Sequence, residues 1–346
     1  MRLVTYEDTG SPGQARGAIL IDDNVGGTVL LDLLRGFAWL EAGRAADHAH
    51  DARIREVEAK FGRGVLGFVE NEEVARPAAD ALVLAFQKSG LPEGIASPLA
   101  GKKLLAPIPR PPSMRDGYAF RQHVETARKN RGLDMIPEFD LFPVFYFTNH
   151  QAVIGGGDLR VRDGHLDRLD FELEAAVVIG REGRDLTAHD ADQHVFGLTI
   201  MNDWSARALQ MEEMKLSLGP AKGKDFATSL GPWLVTRDEL EKQIVHTPRG
   251  DVYHLGMRAF VNDKQLSTGN VKDMNWTFAE ILARASYGVT LHPGDVIGSG
   301  TVGTGCLLEL NGSKVTDTQW LKPGDKVALE IDLLGRLENT VVRAEP

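Results

Sequence analysis

The chain of 346 residues carries 39 basic against 49 acidic side chains, a formal charge of −10, and a hydrophobic fraction of 42%. That length and apolar content suffice for one large or two modest globular units and exclude a fibre or a disordered chain. The negative balance leaves no electrostatic footprint for nucleic-acid backbones or anionic lipid, and the single cysteine, Cys306, excludes an intrachain disulfide or a thiolate zinc site and fits a reducing compartment.

The opening residues lack an apolar signal-peptide region, and no apolar run approaches the roughly 20 residues of a spanning helix, so a soluble cytoplasmic protein without a membrane partner is expected. From about Asp22 to Lys88, Val29, Leu30, Leu33, Leu34, Phe37 and Leu40 recur at spacings of three and four, which predicts helical structure. We assign residues 1–105 to an N-terminal accessory domain. His48 and His50 fall within it, flanked by Asp47 and Asp51. Two apart on a helix they do not face each other, so they read as a solvated face rather than a metal site. Residues 90–112 hold six prolines, which neither helices nor central strands tolerate, and read as a linker or an extended crossover.

Residues 106–346 turn mainly to β-structure. Strands are expected at 142–147, 171–179, 195–201, 252–261, 295–299, 306–310 and 326–334, and helices at 113–130, 204–213 and 276–286. Pro-Gly-Asp occurs at Pro293–Asp295 and again at Pro323–Asp325, where turns should feed strands. Many strands with few helices between them argue for a mixed, mostly β domain rather than a doubly wound sheet. Gly155-Gly156-Gly157-Asp158 lacks the Lys-Ser/Thr of a phosphate loop and reads as a turn. The run Gly298-Ser299-Gly300-Thr301-Val302-Gly303 satisfies the dinucleotide-binding pattern. With a strand expected at 306–310, however, no helix N-terminus awaits a pyrophosphate, and the run reads as a tight turn.

Chemistry concentrates in Leu169-Asp170-Phe171-Glu172-Leu173-Glu174, which runs directly into Ala175-Ala176-Val177-Val178-Ile179. On a strand, Glu172 and Glu174 share a face, and their apolar neighbours would bury them. Two buried like charges cost several kcal/mol unless a cation compensates, and a hard divalent metal prefers carboxylate oxygens. A solvated strand end is the other reading of the same pattern. Asp203, after the apolar run 195–201, taken singly reads first as a helix N-cap, and otherwise as a third acid of such a site. Asp116 opens a predicted helix with capping-box-like spacing from Ser113, and His123, seven residues on, would lie on the same helix face roughly 10 Å along the axis.

Together Glu172-Leu173-Glu174, Asn202-Asp203-Trp204-Ser205-Ala206-Arg207 and Gly223-Lys224-Asp225-Phe226 resemble the fumarylacetoacetate hydrolase family over roughly residues 107–342, with Asp116 and Arg121-Gln122-His123 pointing to its long members. The resemblance implies an α+β fold in which a small N-terminal domain precedes a mixed β-roll catalytic domain, usually in a homodimer. It implies metal ligands at Asp116, Glu172, Glu174 and Asp203, with Lys224 and Thr228 beside the metal. His123 is implied as the water-activating base and Glu309 as its orienting acid, with Arg207 and Lys224 assisting; Tyr118, Tyr146, Gln210 and Thr301 match substrate-contacting positions. Phe145 and Phe147 depart from the small and polar neighbours the family places around Tyr146. Residues 211–218 are one longer than the pattern, and Arg128 and Arg131 both compete for an expected arginine.

The expected activity is hydrolysis of a carbon–carbon bond in a small β-diketo acid such as fumarylacetoacetate or an acylpyruvate, in aromatic-compound catabolism. It would use Mg2+, with Ca2+ or Mn2+ as alternatives. Decarboxylation, dienoate hydration or sugar-acid dehydration on the same platform is the alternative class, and a metal-binding protein without turnover is the non-enzymatic one.

Overall fold

The computed structural model describes residues 1–8, 14–22, 26–44 and 50–345; His48 and the side chain of His50 lie outside what is described. A large sheet contains, in chain order, β1 (Arg2–Glu7), β2 (Ala15–Asp22), β3 (Thr28–Asp32), β4 (Ala96–Pro98), β5 (Met114–Gly117), β6 (Phe145–Phe147), β7 (Leu173–Ile179), β8 (Val195–Asp203), β9 (Thr228–Thr236) and β10 (Val296–Gly298). In space they run β4-β3-β2-β1-β9-β8-β7-β10-β5-β6, with the short strands Leu104–Leu105 and Val153–Ile154 joined to β1 and β9. Neighbours on this path are antiparallel except β10 and β5, which are parallel. A second sheet orders the strands Lys264–Asn270, Gly256–Val261, Lys326–Ile331, Gly335–Arg343 and Gly157–Val161. Helices α1 (Leu33–Arg44), α2 (His50–Phe61), α3 (Val65–Glu70) and α4 (Glu72–Ser89) precede the catalytic motifs, and α5 (Arg121–Lys129), α6 (Arg207–Glu213), α7 (Phe278–Ala285) and α8 (Leu307–Gly312) lie among them. This is the expected α+β architecture with a mixed sheet.

Strand β7 explains the layering. All seven of its residues are buried. Leu173, Ala175, Val177 and Ile179 pack into a core shared with Met257, Ala259, Leu329 and Ile331 of the second sheet. On the opposite face, Ala176 and Val178 join a core with Phe37, Phe61, Phe68 and Leu82 of the N-terminal helices. Alternate residues thus face two different layers, which is why the strand reads as one continuous apolar run.

Several local expectations need correction. Residues 15–32 form β2 and β3 before the helices begin, because Val29 and Leu30 are spent on pairing with β2 and β4. The helix expected at 113–130 is strand β5 followed by α5, so Asp116 and His123 do not share a helix. Asp203 is the last residue of β8, and α6 starts four residues later with Ala206 at its N-cap, so Asp203 is no cap. Residues 252–261 divide between Gly250–Tyr253 and Gly256–Val261, which belong to different sheets. The strand expected at 306–310 is helix α8. By contrast α7 carries a full capping box, Thr277 Oγ1 accepting from Glu280 N and Glu280 accepting from Thr277 N.

Candidate active site

Three neighbouring segments of the large sheet bring four acids together: Asp116 on β5, Glu172 and Glu174 at the start of β7, and Asp203 at the end of β8, with β10 lying between β5 and β7. Register pairs Glu174 of β7 with Met201 of β8, Asp116 of β5 with Gly298 of β10, and Gly298 in turn lies next to Ala176 of β7 through a second register pairing. Because side chains alternate, Glu174, Asp203 and Asp116 emerge on the face that also carries Met114, Ala176 and Met201. Glu172, one residue ahead of β7, follows the same alternation; its backbone N–H is held by Asn202 Oδ1 at 2.9 Å. The result is a cluster of Asp116, Glu172, Glu174 and Asp203, each offering one carboxylate oxygen within 4.8 Å of the others, all four buried.

Glycine at 298 makes the cluster possible. A Cβ there would stand 2.5 Å from Asp116 Oδ1, 2.8 Å from Met201 Sδ and 3.1 Å from Glu174 Oε2. No larger residue fits without displacing the carboxylates.

Cations compensate part of the charge. Lys224 Nζ donates to both Glu172 Oε2 and Asp203 Oδ2. Arg207 donates to Glu172 Oε1 at 2.8 Å, to Asp170 Oδ2 at 2.9 Å and to Gln210 Oε1 at 3.0 Å. Burial alone would raise Glu172, but Lys224 and Arg207 outweigh it and hold its carboxyl well below the usual range. Burial, reinforced by the negative charge of Asp203, pushes Asp116 up to about 8. Glu174 rises well above its ordinary value, through burial and the neighbouring Asp116, and Asp203 is raised by burial despite Lys224.

Two full charges 4.8 Å apart repel by about 3.5 kcal/mol at an effective dielectric of about 20. Over the pairs within the cluster that repulsion rivals the whole net stability of a domain, about 5–15 kcal/mol. Without further positive charge the cluster must therefore keep protons. The donor set is entirely oxygen, and two of its buried oxygens, Glu174 Oε2 and Asp203 Oδ1, have no hydrogen-bond partner. Three further oxygens are oriented by protein donors: Thr301 Oγ1 to Glu174 Oε1 at 3.2 Å, Gly300 N to Asp116 Oδ1 at 3.2 Å, and Tyr146 Oη to Asp203 Oδ2 at 2.5 Å. Residues of this kind fit a hard divalent cation.

A second buried pair stands beside the cluster. His123, on α5, places Nδ1 2.7 Å from Glu309 Oε2 on α8. The ring of Tyr118 meets the imidazole edge-to-face at 5.9 Å. Cys306, expected in a strand, instead precedes α8 and lies within 4.8 Å of both His123 and Glu309. Burial, with Asp170 and Glu172 nearby, raises its thiol well above the ordinary value, which makes a thiolate nucleophile unfavourable.

Of the residues expected from sequence, Asp116, Glu172, Glu174, Asp203, Lys224, Arg207, Gln210, Tyr146 and Thr301 are linked in one network, and His123, Glu309 and Tyr118 form the adjoining group. Thr228 is buried opposite Asp203 in the β8–β9 register. Between the two candidate arginines, Arg131 has the charge that reaches Tyr118. Sequence reading missed Asp170, whose side chain takes Arg207 and the start of α8, and Gly298. An acid embedded in the same apolar run as Glu172 was the available signal for the first; a glycine inside a predicted strand was the available one for the second. A helix does follow the Gly298–Gly303 run, contrary to expectation, but Asp170 already accepts from its first two N–H groups, so those donors are not free for a pyrophosphate.

Among the described residues no helix is long and apolar enough to cross a membrane. A family model described as fumarylacetoacetate (FAA) hydrolase C-terminal matches residues 113–342. The chain is 35% identical to fumarylacetoacetase of Oryza sativa subsp. japonica over 209 residues, 50% of this chain and 48% of that protein, so the match spans about half the length of that relative. It is 32% identical to oxaloacetate tautomerase YisK of Bacillus subtilis over 251 residues, 70% of this chain and 74% of that protein. Among solved structures, maleylpyruvate hydrolase from Sphingobium sp. SYK-6 in complex with manganese (II) ion and pyruvate superposes with a TM-score of 0.66 at 22% identity, covering 100% of both chains. On the extent of the family match, and with both the acid cluster and the histidine–glutamate pair in place, the chain belongs to the fumarylacetoacetate hydrolase family.

Proposed function

We propose that this protein hydrolyses a carbon–carbon bond in a small β-diketo acid, of the fumarylacetoacetate or acylpyruvate type, in aromatic-compound catabolism, with Mg2+ or Mn2+ at the carboxylate cluster. The observation that carries the reading is the buried His123–Glu309 pair beside a cluster of four carboxylates. Asp116, Glu172, Glu174 and Asp203 would hold the metal, which when bound supplies Lewis-acid polarisation of substrate carbonyl oxygens.

The protein's own groups then divide the proton work. With Glu309 accepting the Nδ1 proton, Nε2 of His123 is left as the base. It takes a proton from water, whose oxygen attacks a substrate carbonyl carbon. As the carbon–carbon bond breaks, its electron pair stays on the departing α-carbon as an enolate, which His123 can reprotonate. Lys224 has donated two of its three N–H groups to carboxylates, and the third remains to meet developing negative charge. Arg207 has three donor groups committed to Asp170, Glu172 and Gln210, so its part is to hold Glu172 in place.

Tautomerisation of a 2-oxo diacid is the second reading, favoured by the similarity to a tautomerase over 70% of this chain. It needs His123 to move a proton but needs no activated water. A panel of acylpyruvates and oxaloacetate, assayed with Mg2+ or Mn2+ and with product identification, separates the two. Hydrolysis yields two carboxylic products from a diketo acid; interconversion of keto and enol forms without cleavage would overturn the proposal. His123→Ala should abolish turnover and keep metal binding, whereas Glu172→Ala should lose both.

A further inference from the structure

The side chain of Asp170 is fully buried, and its two oxygens accept four hydrogen bonds. Oδ1 receives the N–H of Phe171 at 2.9 Å and of Leu307 at 2.7 Å. Oδ2 receives the N–H of Leu308 at 3.0 Å and Arg207 Nε at 2.9 Å. That uses the whole accepting capacity of a carboxylate.

Two of those donors are the first two N–H groups of α8, whose own N-cap residue, Cys306, supplies no side-chain hydrogen bond. Such N–H groups have no partner within a helix, and in a buried setting they need one from outside. Helix α8 has only six residues, too few to hold its shape by internal bonds, so its orientation depends on what grips its first turn. The residue after the two gripped ones is Glu309, which holds His123 Nδ1. The same carboxylate anchors Arg207, and Arg207 anchors Glu172.

We propose that Asp170 is a positioning residue that sets the orientation of the His123–Glu309 pair relative to the carboxylate cluster, by gripping α8 with one side and Arg207 with the other. The catalytic part of this inference rests on the reaction class proposed above; the geometric part does not. Asp170 touches neither substrate nor reacting atoms. Its effect passes through Glu309, and a shift of the base by about 1 Å is enough to cost about 100-fold in rate.

Asp170→Asn preserves shape but places an N–H donor against the Arg207 and Leu308 donors or, with the amide turned over, against those of Phe171 and Leu307. Asp170→Ser keeps an acceptor for α8 and releases Arg207. In Asp170→Asn, assayed at saturating Mn2+, we expect kcat to fall about 100-fold while KM stays within about threefold. The loss should shrink to about threefold or less when Asp170→Asn is introduced into Glu309→Gln, because the two act through one path. In 15N-histidine-labelled protein without metal, the Nδ1 proton resonance of His123 should move or broaden in Asp170→Asn and less in Asp170→Ser. Wild-type kcat in a folded variant, an undiminished loss in the Glu309→Gln background, or an unchanged His123 resonance would overturn the proposal. So would failure of both variants to fold, since Asp170 would then hold the fold rather than orient the pair. Should the wild-type protein turn over no diketo acid, the reaction reading fails, but the resonance still decides the geometric one.

Discussion

Asp116, Glu174 and Asp203 are all raised in the folded protein, with Asp116 near 8 against an ordinary 3.8, and that has a consequence for pH. A carboxyl whose folded pKa lies above its unfolded value binds its proton more tightly when folded, so it favours folding below the unfolded pKa and loses that contribution as pH rises through the folded one. The metal-free protein should therefore become less stable as pH rises from about 4 to about 8. A divalent ion reverses the balance by replacing those protons. Removing metal with a chelator should lower Tm more at about pH 8 than at about pH 5.5, and metal binding should release protons, measurable by calorimetry in buffers of different ionisation enthalpy. Equal Tm losses at both pH values would show that the cluster does not titrate with metal. Glu172 stands apart in this respect, because Lys224 and Arg207 already keep it charged.

At the scale of elements, the site depends on strand register more than on any one strand. Gly298 of β10 lies beside Asp116 on one neighbour and Ala176 on the other, and an added methyl would come within 2.5 Å of the Asp116 carboxylate. Gly298→Ala should weaken metal binding about 10–100-fold, as losses beside metal ligands do, while far-ultraviolet circular dichroism stays unchanged. Metal affinity equal to wild type would mean the strands can part to admit the methyl. This register was invisible in the sequence. Glu172, Glu174 and Asp203 were legible because apolar strands lead into or out of them, and the alternation of side chains put the two glutamates on one face. For Asp116 the helical spacing to His123 pointed to a ligand and a distant base for the wrong reason, since its element is a strand, and the family resemblance is what identifies it. The stretch 113–130 mixes a strand and a helix, and Ser113 imitates a cap while its hydroxyl in fact donates to Asp295. Helix α8 was misread for a related reason: its apolar leucines resemble a strand, and the acceptor that starts it, Asp170, lies 137 residues away. Long-range caps leave no local pattern.

At the scale of the whole molecule, the N-terminal residues are woven into the layer that carries the site. Strand β1 hydrogen-bonds to β9, pairing Leu3 with Leu234, and β9 pairs with β8 up to Asp203 and Thr228. Phe68 of α3 is wholly buried, with its ring edge-on to Phe196 of β8 at 6.0 Å and near Phe37 of α1. Burying an aromatic ring at such a junction contributes about 3–5 kcal/mol when it is replaced by alanine, a large share of a domain's net stability. Phe68→Ala should therefore lower Tm substantially and, because β8 ends in Asp203, reduce metal affinity only insofar as the fold is lost; metal added in excess should restore part of the Tm. A chain beginning at residue 106 faces a harsher test, since it would strip β1 from β9 at Leu234 and Val235 and expose the apolar face formed by Ala176, Val178, Phe196 and Leu230. It should be recovered as aggregate, or melt without cooperativity, even with Mn2+ present. Cooperative melting and metal binding by that shortened chain would instead establish the first 105 residues as a separable unit, and would place the stability of the carboxylate cluster entirely in the strands from β5 onward.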